Sequence, residues 1–209
     1  VVEKDKRFSA TIDQDKYIFT TADSYNAIIG SNGRFTVPDV QLNQGIRLTH
    51  KYAVDYSNKE QKFLLPNPQT DVTTLEVTVK ASPTSTIIDT YTKVTDTVKV
   101  TATSKVFFLY EEFDGRYEVQ FGDNKVGARP ADGSQVILTT NISDGQVTNK
   151  AATFQAIDLI GGYADVQVVT TTAGYGGAVR ESIEEIKYGA PKLYETQNRA
   201  VTLNDYKRI

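Results

Sequence analysis

The fold of this chain is decided by one stretch: Phe113-Asp-Gly-Arg-Tyr-Glu-Val-Gln-Phe-Gly-Asp-Asn-Lys-Val-Gly-Ala-Arg-Pro-Ala-Asp-Gly-Ser-Gln-Val-Ile-Leu138. Within it, Tyr117, Val119 and Phe121 alternate with polar residues, which is the period of a half-buried β-strand. Turn signals bracket that strand at Asp114-Gly115, Gly122-Asp123-Asn124 and Asp132-Gly133. The stretch predicts a short strand framed by glycine turns, and its residues are not typical of a catalytic site.

Composition narrows the class of protein. The chain has 209 residues and a formal net charge of −3, which fits one large or two small domains. The charge balance is not basic enough to indicate nucleic-acid binding and is not patterned for a membrane surface. No apolar run approaches the roughly 18–20 residues of a membrane helix. We therefore expect neither nucleic acid nor a membrane as a partner.

The sequence contains no cysteine and no methionine, not even at position 1. The first absence excludes disulfides and thiolate chemistry. The second predicts an internal fragment or a processed product. At the other end, Thr202 is a candidate N-cap and Asp205 stands at the third helical position, so we expect a helix that continues beyond the fragment.

Three segments are predicted. Residues 1–68 form a β-rich N-terminal subdomain, residues 69–150 a β-domain with the Phe-Gly-Asp hairpin, and residues 151–209 an α+β segment leading into a helix. In the first segment the strand candidates are 8–12, 17–21, 35–37 and 46–54, and residues 23–29 could be a short helix or a turn. The first boundary rests on Pro66-Asn-Pro68.

The second and third segments have their own patterns. Strand candidates in the second are 75–79, 98–102 and 106–110, with a polar loop from Ser82 onward. In the third, residues 151–160 could be strand or short helix, 163–169 predict a strand, and 180–187 predict a helix ended by Gly189-Ala-Pro191. Ile183 and Ile186 lie on one face of that helix. The predicted class is mainly β with a minor α component (α+β), with sandwich- or barrel-like domains of short antiparallel strands.

Candidate chemistry is sparse. His50 is the only histidine and lies in an alternating strand, so a histidine-based metal site or triad has little to build on. Acids near Gly115 and at Asp123 lack the oxygen spacing of a calcium loop. Gly174-Tyr-Gly-Gly177 precedes a helix but lacks the ending of a phosphate loop. We expect no catalytic, cofactor-binding or metal-binding residue, no cofactor, no small-molecule substrate and no enzyme activity.

Three segments resemble the baseplate J-like family. The first is Tyr117-Glu-Val-Gln-Phe-Gly-Asp-Asn-Lys-Val-Gly127 with Asp132-Gly133, continued by 142–149. The second is Gly176-Gly177 followed by Glu181-Ser182 and Ile186, and the third runs from Ala190-Pro191 through Arg199-Ala-Val-Thr202 to Asp205-Tyr206. The lead-in at 72–79 is most similar to wedge subunits of T-even-type contractile phage tails. Position 124 is Asn where the family commonly has Gly.

The resemblance implies a structural component of a baseplate wedge, with inter-subunit contacts in a ring around the tail hub that rearrange on sheath contraction. It implies a virion location after assembly in the host cytoplasm, a homodimer, and as partners other wedge proteins and hub or sheath-initiator proteins. Gly122 and Gly127 permit left-handed backbone and close approach, which predicts a rigid hairpin at these positions. The candidate motif or interface residues are Tyr117, Phe121, Gly122, Asp123, Gly127, Gly133, Gly176, Gly177, Glu181, Pro191, Arg199, Val201, Thr202, Asp205 and Tyr206.

Two other functions remain open on the residues alone. One is a β-rich receptor- or carbohydrate-binding module of a tail or adhesin, which the many tyrosines and threonines would suit. The other is a hydrolase with two carboxylates about 5–10 Å apart in a cleft, one of them buried.

Overall fold

The computed structural model describes residues 1–31, 33–95, 97–179 and 181–196, with side chains up to residue 191. Strands occupy 39% of the chain and helices 9%, which confirms the predicted class of mainly β with a minor α component. The elements of the described part are, in chain order, β1 Arg7–Ile12, β2 Asp15–Thr21, β3 Ile28–Ile29, β4 Phe35–Thr36, β5 Leu42–Gln44, β6 Ile46–Ala53, β7 Phe63–Leu65, β8 Thr70–Lys80, β9 Ile88–Lys93, β10 Val106–Glu111, β11 Tyr117–Phe121, β12 Gln135–Ile142, β13 Phe154–Ala156 and the helix α1 Ile183–Thr196.

A four-stranded antiparallel sheet has the order β13-β1-β2-β5. Its central hairpin turns at Asp13 and Gln14, which both have positive φ (49° and 80°), so the turn is made without glycine. One face of the sheet buries Phe8, Ala10 and Phe19 in a core that also takes in Val2 and Ile160. Strands β3 and β4 form a separate two-stranded ribbon.

A seven-stranded sheet has the order β6-β12-β8-β9-β10-β11-β7, and its pairs are antiparallel except β9 with β10. Its two edge strands approach each other, because the Tyr52 hydroxyl on β6 donates to the Leu64 carbonyl on β7 at 2.5 Å. The sheet therefore curls around its own core like a barrel. That core consists of Val54, Leu65, Val77, Val79, Tyr91, Phe107, Val119, Val136 and Leu138.

Gly45 is the point where the chain passes from one sheet to the other. It separates β5, which pairs with β2, from β6, which pairs with β12. Gly45 has φ +120°, and a Cβ there would stand 2.3 Å from the Ile142 carbonyl oxygen. No other residue fits this close approach, so glycine is required at the crossing.

The sheets do not follow the predicted division at residue 68. Strands β6 and β7, from the predicted first segment, belong to the seven-stranded sheet. Strand β13, from the predicted third segment, completes the sheet of β1 and β2. The Pro66-Asn-Pro68 break is a turn between strands of one sheet, since the Thr70 N–H donates to the Asn67 carbonyl at 3.2 Å.

Two strand predictions in the second segment need correction. Residues 98–102 are not a strand: a short 3₁₀ turn spans Thr97–Lys99, and Val98 is exposed. The predicted polar loop contains β9, where Tyr91 is the buried residue. Alternation gave the wrong prediction in the first case because Val98 is exposed and Val100 is only partly buried. It was too weak in the second because threonine and aspartate fill three of the six positions of the strand.

The hairpin predicted at Gly122 and Gly127 is also wrong. Strand β11 pairs with β10 and β7, whereas β12 pairs with β6 and β8. The tight turn lies before β11, where the Glu112 N–H donates to the Arg116 carbonyl at 2.7 Å. After Phe121 the chain crosses the end of the barrel before it re-enters the sheet.

The third segment departs from prediction at two places. Residues 165–169 alternate in burial, but the predicted strand 163–169 pairs with no strand among the described residues. The helix does not end at Gly189-Ala-Pro191 and continues through Pro191 to Thr196. Pro191 removes the hydrogen bond to the Lys187 carbonyl, but Lys187 is exposed and its carbonyl can be hydrated. Of the alternatives left open, 23–29 holds β3 rather than a helix, and 151–160 holds β13.

Candidate functional site

The Phe-Gly-Asp loop (residues 121–127) has a backbone that only glycine permits at two positions. A Cβ on Gly122 would stand 2.1 Å from the Gly127 carbonyl oxygen, and Gly127 has φ +86°. Asn124 also adopts a positive φ of 65°, so asparagine replaces glycine there without changing the turn. The expected close approach is confirmed at Gly122, and the expected left-handed backbone at Gly127.

Asp123 holds this loop through its side chain. Its Oδ1 accepts from the N–H groups of Lys125 at 2.9 Å and Val126 at 3.0 Å. The hydrogen bonds from Val126 and then Lys125 keep the pKa of Asp123 below its ordinary value. Because Asp123 accepts both of these hydrogen bonds from within the loop, its carboxylate acts as a turn cap.

The loop is fixed to its neighbours on both sides. The Gly127 N–H donates to the Thr101 carbonyl at 3.0 Å, and the Ala128 N–H donates to the Ser104 carbonyl at 2.8 Å. The Arg129 N–H donates to Asn124 Oδ1 at 2.8 Å. The candidate residues of the loop therefore lie on a rigid rim of the barrel.

Tyr56 closes the same end of the barrel. Its ring lies 3.5 Å beneath the Arg129 guanidinium, its hydroxyl donates to the Pro130 carbonyl, and its N–H donates to Asp132 Oδ1 at 2.9 Å. Burial raises the pKa of Tyr56, and the charge of Arg129 opposes that rise. Gly133, with φ +73°, donates its N–H to the Val54 carbonyl at 2.8 Å and so extends the β6–β12 ladder.

Tyr117 and Phe121 face the barrel interior. Both pack against its core, and the Phe121 ring meets Phe63 edge to face at 5.4 Å and Tyr91 at 5.1 Å. Phe63 in turn contacts Tyr52 at 5.8 Å. This chain of rings joins β9, β11, β7 and β6, which places Phe121 in the packing that closes the barrel.

Gly176 and Gly177 lie against residues 145–149. Asn149 Oδ1 accepts from the Gly177 N–H at 2.9 Å, and Asn149 Nδ2 donates to the Gly177 carbonyl at 2.8 Å. A Cβ on Gly177 would stand 2.4 Å from the Gly145 carbonyl oxygen, while Gly176 has φ +87° and free space around it. Two of the resembling segments, 142–149 and 176–177, are thus brought into direct contact.

Asn149 is a residue that sequence reasoning did not single out. Asn149 is the last residue of the resembling segment 142–149, so the sequence could have pointed to it. Only the fold shows that its side-chain amide pairs with Gly177, 28 residues away. Arg129 and Tyr56 were missed for the same reason.

The helix α1 begins with a capping box. The Ser182 N–H and hydroxyl both donate to Glu185 Oε2, at 2.7 and 2.8 Å, and Ser182 Oγ accepts from the Glu185 N–H at 3.3 Å. These two bonds from Ser182 lower the pKa of Glu185. Ile183 and Ile186 share one face of the helix and are 63% and 47% exposed. Glu181 and Pro191 are exposed as well.

The remaining candidates, Arg199, Val201, Thr202, Asp205 and Tyr206, lie outside the described residues. The helix expected at Thr202 to Asp205 therefore stays a prediction. The structure brings together the candidates of the rim and, separately, the glycine pair with Asn149. It does not assemble the candidate residues into one site.

A carboxylate pair exists on the outer face of the seven-stranded sheet. Glu118 is only 7% exposed, and Lys62 Nζ lies 2.9 Å from its Oε2 and 2.6 Å from Glu112 Oε1. Burial acts to raise the pKa of Glu118, but the hydrogen bonds from Lys62 and Gln120 outweigh it, so this pKa lies below its ordinary value. The hydrogen bonds that Lys62 donates to Glu112 and then to Glu118 raise the pKa of Lys62. Both carboxylates are held by one lysine, which suits an ion-pair network rather than an acid–base pair.

An open depression of about 600 Å³ lies between the two sheets. Arg47 on β6 crosses it, with its Nε 3.1 Å from Asp5 Oδ1 and its Nη2 2.5 Å from Glu76 Oε2. Lys4 also pairs with Glu76. Among the described residues that line the depression none is aromatic, so it offers no ring on which a sugar could stack.

The described residues offer neither a cluster of metal-ligating side chains nor a membrane-spanning helix. They contain no group of three or more histidine, cysteine, aspartate or glutamate side chains placed to hold a metal ion. In the same part of the chain, no helix is long and apolar enough to cross a membrane.

Comparison with known proteins leaves the family open. No family model matches the sequence, and no curated protein matches it significantly.

Proposed function

We propose that the protein is a structural component of a contractile phage tail baseplate wedge, located in the virion. It contributes contacts between subunits in the ring around the tail hub, and its partners are other wedge, hub and sheath-initiator proteins, with a second copy of itself in a homodimer. It acts by assembly and rearrangement rather than by catalysis, and without a cofactor. Three resembling segments in the family's order are the starting point for this proposal.

The observation that carries the proposal is the contact between two of those segments. Asn149 holds Gly177 by two hydrogen bonds, and Gly177 has no room for a side chain beside Gly145. Gly122 is equally constrained within the first segment. A chance resemblance would not be expected to include residues that contact each other in the fold. Nor would it be expected to include positions at which only glycine fits.

The surface of α1 supports a role in contacts between subunits. Its apolar face, defined by Ile183 and Ile186, is largely exposed in the isolated chain. Helices of this kind gain most of their stability from packing that face against another element. In the proposed assembly a neighbouring subunit covers it.

The test is mass by light scattering of the full-length protein, alone and mixed with the purified wedge proteins of the same phage. The expected result is a dimer that joins them in a complex of defined stoichiometry. Ile183→Asp with Ile186→Asp is expected to weaken the complex, whereas Glu184→Ala, on another face of α1, leaves it intact.

An inert monomer that joins none of these proteins would overturn the proposal. Binding to immobilised glycans in that same preparation would then favour the alternative, a receptor- or carbohydrate-binding module. Circular dichroism on each variant separates a lost contact from a lost fold.

A further inference from the structure

Residues 164–173 lie across the core of the four-stranded sheet. Val166 and Val168 pack against that core, which also contains Ile160. Gln167, which lies between these two valines, is exposed, and Val169, which follows them, is 75% exposed. This alternation is that of an extended chain with one face buried.

The backbone of this segment is unpaired. It is anchored before its start by the Ile160–Tyr163 bridge, with two bonds of 3.0 Å, and after its end by the Gly174 N–H, which donates to the Ala151 carbonyl at 2.8 Å. Between these anchors, residues 164–173 make no hydrogen bond to any residue that the structure describes. A row of free N–H and C=O groups therefore lies along a fixed, partly buried strand.

The composition of the segment is typical of a β-strand that is hydrogen-bonded to a neighbouring strand, although no such pairing is present among the described residues. Val166-Gln-Val-Val-Thr-Thr-Thr172 is made almost wholly of β-branched residues, which favour strands with neighbours on both sides. The core beside it is enclosed by the four paired strands, by this segment and by residues outside both, among them Val2, Tyr25 and Val37. In two-layer β structures a strand on the core normally has paired neighbours, whereas residues 164–173 have none among the described residues.

We propose that residues 164–172 form an acceptor strand to which an extended segment of another protein chain adds by backbone hydrogen bonding. The free backbone groups call for an extended peptide, and the apolar core beside Val166 and Val168 calls for apolar side chains at every second position of it. Asp165 is the only charged residue of the segment, so a lysine or arginine near that end of the incoming strand completes the match. This surface is independent of the baseplate assignment.

The experiment uses a displayed library of random ten-residue peptides, selected against the full chain. Hydrogen exchange of the free protein is measured first, and amides 164–172 are expected to exchange rapidly because they have no partner. The enriched peptides are expected to alternate apolar and polar residues and to slow exchange at 164–172. No enrichment, or protection elsewhere in the chain, would overturn the proposal.

Two matched variants separate backbone pairing from side-chain contact. Gln167→Pro with Val169→Pro removes two N–H groups from one edge, and each position tolerates proline because its side chain is exposed and its N–H is unpaired. Gln167→Ala with Val169→Ala changes the same side chains and keeps both N–H groups. The proline pair is expected to weaken the selected peptides at least about tenfold, and the alanine pair only a few-fold.

Equal binding by the proline pair, with an unchanged thermal midpoint, would show that the backbone of this edge is not used. Protection of amides 164–172 in the protein alone at high concentration would also contradict the proposal, since the occupant would then be a second copy. Both readouts come from one set of samples.

Discussion

Asn149 and Gly177 are joined by their two amide groups: the side-chain amide of Asn149 accepts from the Gly177 N–H at 2.9 Å and donates to its carbonyl at 2.8 Å. The two hydrogen bonds resemble those between the backbones of adjacent β-strands, but here one partner is a side-chain amide. It fixes the chain that leads to α1 against residues 145–149.

Asn149→Ala is expected to lower the free energy of unfolding by about 2 kcal/mol, because both backbone groups of Gly177 lose their partner. Asn149→Asp keeps the acceptor and loses the donor, so we expect a smaller loss. Urea unfolding measures both. Gln146→Ala, at an exposed site nearby, is the control. Equal stability of Asn149→Ala and wild type would show that the pair contributes nothing.

Gly122→Ala is expected to cost about 3 kcal/mol, since its Cβ would stand 2.1 Å from a backbone oxygen and the loop must move. Gly133→Ala has open space and only the strain of a positive φ, so about 1 kcal/mol is expected there. The difference between the two, measured by denaturant unfolding, isolates the close approach. A larger loss at Gly133 would contradict the steric account.

The Lys62–Glu118 pair predicts a dependence of stability on pH. Because the pKa of Glu118 is lowered in the folded state, its contribution is fully present above the unfolded value of about 4.3 and is lost as pH falls through the folded pKa. Glu118→Gln is expected to flatten the acid limb of the stability curve. Thermal midpoints measured across acidic pH provide the test.

Lys62→Met should reverse that sign. Glu118 then stays buried without its cation, so burial dominates and its pKa rises. Stability of this variant is expected to increase as pH falls from the raised pKa to the unfolded value of about 4.3, a range in which the contribution of Glu118 to wild type stays fully present. Parallel curves for the two proteins would show that Lys62 does not hold Glu118.

Arg47 links the two sheets, and Arg47→Met is expected to cost about 2 kcal/mol because Asp5 and Glu76 lose their shared partner. Raising the salt from about 0.05 M to about 0.5 M should weaken wild type more than the variant, since the depression is open to ions. A double-mutant cycle with Glu76→Gln measures the coupling. No coupling at either salt concentration would contradict the link.

The sequence predicted strands well where burial alternates with polarity. Tyr117 to Phe121 was placed correctly because one face of β11 is in the barrel core. The β9 strand was missed because its single buried residue, Tyr91, leaves no pattern. Residues 98–102 show the reverse: alternation is a local property, and which face is buried depends on the rest of the fold.

The sequence allowed the important glycines to be chosen, but it did not allow all of their contacts in the fold to be predicted. Gly122 and Gly177 were chosen from turns and from the resemblance, and both prove sterically required. The residue that each glycine contacts is a different matter. The contact of Gly177 with Gly145 could not be predicted from the sequence, because it joins segments far apart in the chain. The same holds for the Arg129–Tyr56 stack and the crossing at Gly45, which arise only when the sheets are assembled.

The four-stranded sheet is split in the chain: β1, β2 and β5 come before Gly45, and β13 comes after the seven-stranded sheet is complete. During synthesis on the ribosome the barrel strands therefore emerge as a full set while the first sheet still lacks an edge strand and its covering valines. Its apolar face, with Phe8 and Phe19, stays incompletely covered over that interval. Nascent chains of this protein should consequently depend on chaperones most between the emergence of β2 and that of Val168.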